Sequence, residues 1–181
     1  MWKLCRSTCD RGVKQMKYNT IIPNDVVNGE GVCVSFFVQG CPHHCPGCFN
    51  PETWDFNKGI PYTIDVKWQI IKEISANNIT RNFSILGGEP LAPQNIEMTW
   101  DIINAVRHAY PYITITLWTG YTFEQLINYY DDANLINILD KIDVLIDGPF
   151  IEEEKDLSLH LRGSKNQHIY RKFNNEWILE E

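Results

Sequence analysis

The sequence lacks any apolar stretch long enough to cross a bilayer, and no apolar run of signal-peptide length follows Met1. It also lacks an excess of basic residues, because 16 Lys and Arg stand against 23 Asp and Glu, a formal net charge of −7. We therefore expect a cytoplasmic protein that binds neither nucleic acid nor a membrane surface through general electrostatics. Cysteine is scarce and unevenly placed, with six in 181 residues. This argues against a disulfide scaffold and favours a reducing compartment.

The rest of the composition predicts one globular domain. Apolar residues make up 44% and aromatic residues 12% of a chain that is long enough to bury a core. Residues 1–17 carry Cys5 and Cys9 among polar and basic residues. We expect this segment to be a disordered extension with two free thiols, the alternative being a second metal or redox site. Residues 18–181 are expected to form the single domain.

Three of the cysteines stand close together in one predicted loop. Cys41, Cys45 and Cys48 have the spacing C-x3-C-x2-C, directly after an apolar run that predicts a buried strand. Thiolates are soft ligands that suit iron–sulfur clusters or zinc. Because a cubane cluster has four irons, three thiolates leave one iron without a protein ligand. The motif therefore predicts a cluster whose open iron holds a substrate or cofactor.

Two other interpretations of the three cysteines stay open at this point. A non-catalytic iron–sulfur or zinc protein would use four protein ligands. The candidates for the fourth are His43, His44, Cys33 and Cys9. We expect the two histidines to be loop residues and Cys33 to pack as a small apolar residue. A redox dithiol protein would instead form a disulfide within the motif.

Short apolar strands alternate with helices along the chain. Strands are predicted at 32–39, 82–86, 112–118 and 142–146, and helices at 64–76, 95–109 and 122–130. This alternation predicts an α/β fold built from βαβ units, with a mostly parallel sheet. Four to six such units are too few to close a (β/α)8 barrel. The alternating tail, 169–179, predicts a terminal hairpin around Asn174-Asn175.

The helix predicted at 64–76 illustrates the local signals. Thr63 is a suitable N-cap residue, and Ile64, Trp68, Ile71 and Ile74 fall near one helical face, which we expect to be buried. For the helix predicted at 122–130, Thr122 and Gln125 have the spacing of a capping box.

Several predicted strands end in loops with residues suited to ligand binding. Gly87 and Gly88 follow the second predicted strand, and paired glycines let a ligand approach the backbone closely. The alternative is an ordinary strand-to-helix turn. Asp147 ends the fourth predicted strand and is either a site carboxylate or a turn residue.

Five stretches, taken in order, resemble one family. They are Asp25–Gly31, Cys48–Trp54, Gly87–Leu91, Leu117–Tyr121 and Arg162–Gln167. With the cysteine motif, they resemble the activating proteins of anaerobic (class III) ribonucleoside-triphosphate reductases, within the radical S-adenosylmethionine enzymes. The resemblance extends from about residue 18 to residue 170 and implies an open partial (β/α) barrel of the radical S-adenosylmethionine type.

The resemblance also implies a reaction. Cys41, Cys45 and Cys48 would hold a [4Fe–4S] cluster, and S-adenosyl-L-methionine would chelate the fourth iron. Reductive cleavage would give methionine and a 5′-deoxyadenosyl radical, which takes a hydrogen atom from a glycine near the C-terminus of the large reductase subunit. The expected electron donor is a protein such as flavodoxin. No side chain is needed as a general acid or base, since the cofactor carries the chemistry.

The cofactor contacts follow from the same resemblance. The set implied for S-adenosyl-L-methionine is Gly47, Cys48, Phe49, Gly87, Gly88, Glu89 and Arg162. Gly87, Gly88 and Glu89 would hold the amino group, and Arg162 the carboxylate unless it is an ordinary surface residue. Gly47 stands where many of these enzymes have an aromatic residue, so the adenine contact is assigned to Gly47, Cys48 and Phe49. The nearest alternative function is activation of another glycyl radical enzyme of the pyruvate formate-lyase type.

Overall fold

The computed structural model describes residues 15–128 and 132–180, which contain one eight-stranded sheet and four α-helices. The strands are β1 (Lys17–Asp25), β2 (Cys33–Val38), β3 (Ile60–Pro61), β4 (Asn82–Gly87), β5 (Ile115–Trp118), β6 (Val144–Asp147), β7 (His168–Phe173) and β8 (Glu176–Glu180). The helices are α1 (Ile64–Ile74), α2 (Ile96–Ala109), α3 (Phe123–Asn128) and α4 (Ala133–Lys141).

The sheet is mixed, with the strand order β3-β1-β2-β4-β5-β6-β7-β8. The three central pairings, β2–β4, β4–β5 and β5–β6, are parallel, and the four outer pairings are antiparallel. The prediction of an open partial (β/α) barrel of the radical S-adenosylmethionine type with a mostly parallel sheet is therefore wrong. The four predicted strands form the parallel centre. The antiparallel strands lie at both edges of the sheet. β1 was not predicted, because Pro23, Asn24 and Asp25 weaken the strand signal of that segment.

The two faces of the sheet differ. Alternate residues of the central strands, among them Phe36, Phe83 and Leu117, join one core cluster with buried residues of all four helices. The residues between them point to the opposite face. There the strand register aligns Ser35, Ser84 and Thr116, all fully buried. The helices therefore cover one face, and the more polar face is left to loops.

Local signals predicted the helix starts better than the buried helix face. Thr63 accepts a hydrogen bond from the Val66 amide at the start of α1 (3.5 Å). The capping box is also confirmed, because the Thr122 amide donates to Gln125 Oε1 (2.8 Å) and the Gln125 amide to Thr122 Oγ1 (3.2 Å). In α1, however, Val66, Ile70 and Ile74 are buried, whereas the predicted Ile64 and Trp68 are exposed.

The terminal hairpin is confirmed as β7 and β8. Asn174 (φ 50°) and Asn175 (φ 65°) both have positive φ, the conformation of a type I′ turn between paired strands. At the other end, Cys5 and Cys9 lie outside the described residues, as do residues 1–14 of the predicted extension, and Lys17 begins β1. None of the helices in the described part of the chain is long and apolar enough to span a membrane.

Candidate functional site

A cavity of about 520 Å³ lies over the face of the sheet opposite the helices. The predicted site residues that line it are Cys41, Cys45, Cys48, Phe49, Gly87, Gly88, Glu89 and Arg162. Gly47 is not among its lining residues; a Cβ there would stand 2.8 Å from the carboxyl carbon of Glu152. The strand ends and two loops thus bring together residues that are as much as 121 positions apart in the sequence, from Cys41 to Arg162.

The loop that carries the cysteines, Cys41–Cys48, is anchored where β2 ends. Gln39 is buried, and its Nε2 donates to the carbonyl oxygens of Glu52 (3.1 Å) and Asp55 (2.9 Å). The Gly40 amide donates to the Thr53 carbonyl (2.7 Å). These bonds fold the chain after Cys48 back against the strand end, so that the cysteine loop is closed at its base. Gln39 was predicted only as the last residue of a strand, and its role at the loop base was not predicted.

The three cysteines are partly buried free thiols. Burial raises the pKa of Cys41 to about 11, and the Glu89 carboxylate adds to that rise. Burial also raises the pKa of Cys45, although a hydrogen bond from the Phe150 backbone lowers it in part. Since metals bind thiolates, binding at this loop must release protons.

The ends of β2 and β4 are held in direct contact beneath the cysteine loop. The Gly88 amide donates to the Val38 carbonyl (2.9 Å), and the Glu89 amide donates to the Gly40 carbonyl (2.9 Å). Asn95 is buried and its Nδ2 bridges the carbonyl oxygens of Gly40 (3.0 Å) and Glu89 (2.9 Å). The backbone at Gly87-Gly88 is therefore fixed relative to the residue before Cys41.

Glu89 is 1% exposed and its carboxylate accepts four hydrogen bonds. Oε1 accepts from the Leu91 amide (2.9 Å) and Thr119 Oγ1 (2.8 Å). Oε2 accepts from the Gly120 amide (2.7 Å) and pairs with His43 Nε2 (2.9 Å). A carboxylate offers about four acceptor sites, so the protein itself occupies them. Neither His43 nor Thr119 was predicted as a partner of Glu89.

The three candidates for a fourth protein ligand that lie within the described residues are engaged elsewhere. His43 pairs with Glu89, and the His44 ring stacks on Trp54 with 4.8 Å between ring centroids. Cys33 is buried at the start of β2, with its thiol 3.5 Å from the Glu30 carbonyl. Within residues 15–128 and 132–180, no three His, Cys, Asp or Glu side chains converge to hold one metal ion. A cubane does not require such convergence, because each thiolate binds a different iron.

Arg162 reaches the cavity from the segment after β6. Gln167 shapes this segment: its Oε1 accepts from the Gly163 amide (2.8 Å) and its Nε2 donates to the Gly148 carbonyl (3.0 Å). Trp118 Nε1 donates to the Leu161 carbonyl (2.8 Å) and ties the segment to β5. Arg162 Nε is buried without a hydrogen-bond partner. Arg162 itself lines the cavity, and its Nη1 donates to the Gln167 carbonyl (3.3 Å). A guanidinium group at a cavity suits an anionic group of a ligand.

Asp147 proves to be a structural residue and does not line the cavity. Its Oδ2 accepts from the Phe123 amide at the start of α3 (2.6 Å). Its Oδ1 accepts from the His168 amide (3.0 Å) and lies 3.1 Å from His168 Nδ1. The carboxylate thus joins α3 to the first residue of β7.

The cavity opens at an apolar rim, which we define as Val27, Phe49, Leu157, Leu159 and Leu161. Val27 and Phe49 are exposed, and Leu157 is 77% exposed. Exposed apolar side chains around a cavity mark a surface for a ligand or another protein.

Comparison with known proteins identifies the family. Residues 27–170 match the family model described as a 4Fe-4S single cluster domain. Three proteins named anaerobic ribonucleoside-triphosphate reductase-activating protein are similar to this chain. The Escherichia coli (strain K12) protein is 40% identical over 156 residues, covering 86% of this chain and 98% of the relative. The Vibrio cholerae protein is 41% identical over 157 residues, with the same coverage. The Enterobacteria phage T4 protein is 36% identical over 164 residues, covering 90% and 98%.

The chain belongs to this family of reductase-activating proteins. The resemblance predicted from the five stretches is thereby confirmed, and the family model supports the expected iron–sulfur cluster. The side chains that line the cavity fit such a cluster, since they include three thiols. The nearby His43 and His44 are engaged by Glu89 and Trp54 and are not needed as ligands. The cavity and its rim are therefore the candidate functional site of this chain.

Proposed function

We propose that this chain is an iron–sulfur activating enzyme that uses S-adenosyl-L-methionine to generate a glycyl radical on an anaerobic ribonucleoside-triphosphate reductase. The observation that carries the proposal is the shared cavity, in which three thiols, the Gly87-Gly88 strand end and Arg162 meet. The reductase is taken as the partner because the relatives are named as its activators. We further propose that residues 18–181 act as one domain.

The cysteines define the first part of the site. Cys41, Cys45 and Cys48 would each bind one iron of a [4Fe–4S] cluster, and the anchored loop base keeps their spacing fixed. A reduced cluster held by these thiolates would supply the one electron that the cleavage of S-adenosyl-L-methionine to methionine and a 5′-deoxyadenosyl radical requires. A protein such as flavodoxin is the proposed electron source.

The rest of the cavity supplies contacts for S-adenosyl-L-methionine. The guanidinium group of Arg162, a residue that lines the cavity, suits the methionine carboxylate. Gly87 has a φ of +99°, and both glycines line the cavity, so their backbone is the proposed contact for the amino group. Because the Glu89 carboxylate already accepts four hydrogen bonds, we assign it to holding the site together. Cys48 and Phe49 remain the proposed adenine contacts. Gly47 packs against Glu152 and does not line the cavity.

The ionisable groups near the thiols do not need to act as general acids or bases. Glu89 and His43, which both line the cavity, bond to each other (2.9 Å). Their role in the proposal is to exclude water and fix geometry, which suits chemistry that the cofactor carries.

The rim is the proposed entry for the reductase. A glycine of another protein must reach the cavity, so its segment has to cross the apolar rim. Leu157 and Val27 are exposed there and uncharged, and a polypeptide laid over them would bury apolar area and exclude water.

Anaerobic reconstitution tests the proposal directly. The protein would be loaded with iron and sulfide, reduced, and mixed with the reductase and S-adenosyl-L-methionine. We expect a glycyl doublet in the EPR spectrum and release of methionine, both absent for Cys48→Ser. Methionine release without a doublet on the reductase would redirect the proposal to another glycyl radical enzyme. Neither product from fully loaded protein would refute it.

A further inference from the structure

We infer that His43 is a positioning residue: through Glu89 it fixes the cysteine loop relative to the strand end that faces the cofactor. The inference rests on the proposed function and goes beyond it, because sequence analysis placed His43 as a loop residue without a role. His43 lies between Cys41 and Cys45, so any force on its ring acts directly on the loop that carries the cluster ligands.

The His43 ring is held from three directions. Its Nε2 lies 2.9 Å from Glu89 Oε2. Its edge meets the Tyr121 ring, with 4.6 Å between centroids and an interplanar angle of 71°. A Cβ on Gly120 would stand 2.5 Å from His43 Cδ2, so the ring also packs against the backbone after β5. The ring therefore occupies a slot between the ends of β4 and β5.

Glu89 connects this slot to the rest of the site. Its oxygens accept from the backbone on both sides, at Leu91 after β4 and at Gly120 after β5. The carboxylate is almost fully buried, where a charge-assisted hydrogen bond is stronger than in water. Because an ionised carboxylate only accepts hydrogen bonds, the bond to His43 requires a hydrogen on Nε2.

The bond between His43 and Glu89 would affect how the cluster is aligned with S-adenosyl-L-methionine. Reacting groups must be held within a fraction of an ångström, and supporting hydrogen bonds outside the direct contacts supply that precision. Without the His43–Glu89 bond, the cysteine loop would keep its thiols, its base at Gln39 and the backbone bonds that join Gly40 to the Glu89 end of β4, but its middle would lose the bond that holds it to Glu89. We expect the cluster to form while its coupling to S-adenosyl-L-methionine weakens.

Two variants of His43 separate the hydrogen bond from the ring. His43→Phe keeps a ring against Tyr121 and removes the N–H, whereas His43→Gln keeps an N–H donor near the position of Nε2. His44→Phe is the matched control, because it makes the same change at the neighbouring residue, whose ring stacks on Trp54 outside the cavity lining. Each protein would be reconstituted, assayed for iron, and reduced. Its EPR spectrum would then be titrated with S-adenosyl-L-methionine.

We expect His43→Phe to bind four irons per chain, as a cubane requires, and to need at least about tenfold more S-adenosyl-L-methionine for the spectral change, since one charge-assisted hydrogen bond is worth a factor of this order. His43→Gln should stay within about threefold of the wild type, and His44→Phe should match it. Equal responses from His43→Phe and the wild type would overturn the inference. So would iron loss shared by His43→Phe and His43→Gln, because the hydrogen bond would then not be the cause. A wild-type spectrum indifferent to the cofactor would instead refute the proposed function.

Discussion

Gly88 lies so close to Gly40 that a Cβ on Gly88 would stand 2.5 Å from the Gly40 carbonyl oxygen. That oxygen also accepts hydrogen bonds from the Glu89 amide and from Asn95 Nδ2. The contact joins the residue before the cysteine loop to the strand end that faces the cavity. The separation of these two backbones is therefore set by the absence of a side chain at position 88.

Gly88→Ala should force the two backbones apart, because its obstacle is backbone and cannot rotate away. We expect destabilisation of about 1–3 kcal/mol, typical of overpacking, together with weaker binding of S-adenosyl-L-methionine. Gly31→Ala is the control: its φ is +70°, but the nearest atom to a Cβ is 4.0 Å away. It should lower the urea midpoint and leave cofactor affinity unchanged. If both variants bind the cofactor equally well, the close contact does not shape the site.

Arg162→Gln should weaken S-adenosyl-L-methionine binding by about 10- to 100-fold, since a hydrogen bond to a charged group contributes about 1.5–3 kcal/mol. The physical reason is the loss of a guanidinium group that lines the cavity. Isothermal titration with the reconstituted protein measures the change. Arg171→Gln serves as the control, because Arg171 pairs with Glu30 and Glu180 outside the cavity lining. Equal affinities for wild type and Arg162→Gln would show that the carboxylate binds elsewhere.

Asp25 should make stability depend on pH in the acid range. Burial alone would raise its pKa, but hydrogen bonds from the Asn28 side chain and from the amides of Val27 and Asn28 lower it below the usual value. Because the folded-state pKa lies below the unfolded one, the carboxylate stabilises the fold above about pH 4. That contribution is lost as the pH falls through the folded-state pKa.

Asp25→Asn tests this sign. At pH 7 the variant should unfold with about 1 kcal/mol less free energy, because a neutral amide accepts weaker hydrogen bonds than a carboxylate. Urea unfolding at several pH values should show the wild type and variant converging below about pH 4. A difference that stays constant down to pH 3 would mean that the charge of Asp25 is not its source.

Leu157→Asp should impair docking of the reductase at the rim without impairing the cluster. The side chain is 77% exposed at the cavity mouth, so the substitution should leave the fold and cluster intact. A charge there would have to be desolvated under a docked polypeptide, and we expect at least a tenfold loss of glycyl radical on the reductase. Tyr112→Asp, at a 98% exposed residue that does not line the cavity, is the control. Radical yields that fall equally in both variants would count against a docking role for the rim.

The sequence predicted those features whose signals are local. The Thr122–Gln125 capping box, the Asn174-Asn175 turn and the cysteine loop after β2 each depend on residues a few positions apart. The parallel centre of the sheet followed from alternating strands and helices. One edge of the sheet was not predicted. β1 contains Pro23 followed by two polar residues, so its antiparallel pairing with β2 carried little local signal.

The site was predicted as a set of residues but not as a network. Gly87, Gly88, Arg162 and the three cysteines, which line the cavity, were named because their residue types and order resemble a family. The bond between His43 and Glu89 joins residues 46 positions apart, and a histidine beside a cysteine motif gives no indication of such a partner. Likewise, the exposure of Trp68 in α1 depends on which face meets α2, since the apolar residues of the helix are spread over more than one face.

We propose that three thiols in this cavity hold a [4Fe–4S] cluster with one iron open to S-adenosyl-L-methionine. The decisive measurement is Mössbauer spectroscopy of protein reconstituted with ⁵⁷Fe, recorded with and without the cofactor. We expect one iron in four to change its isomer shift when the cofactor is added while the others do not, because three of the four irons already have thiolate ligands. Identical spectra under the two conditions would contradict it.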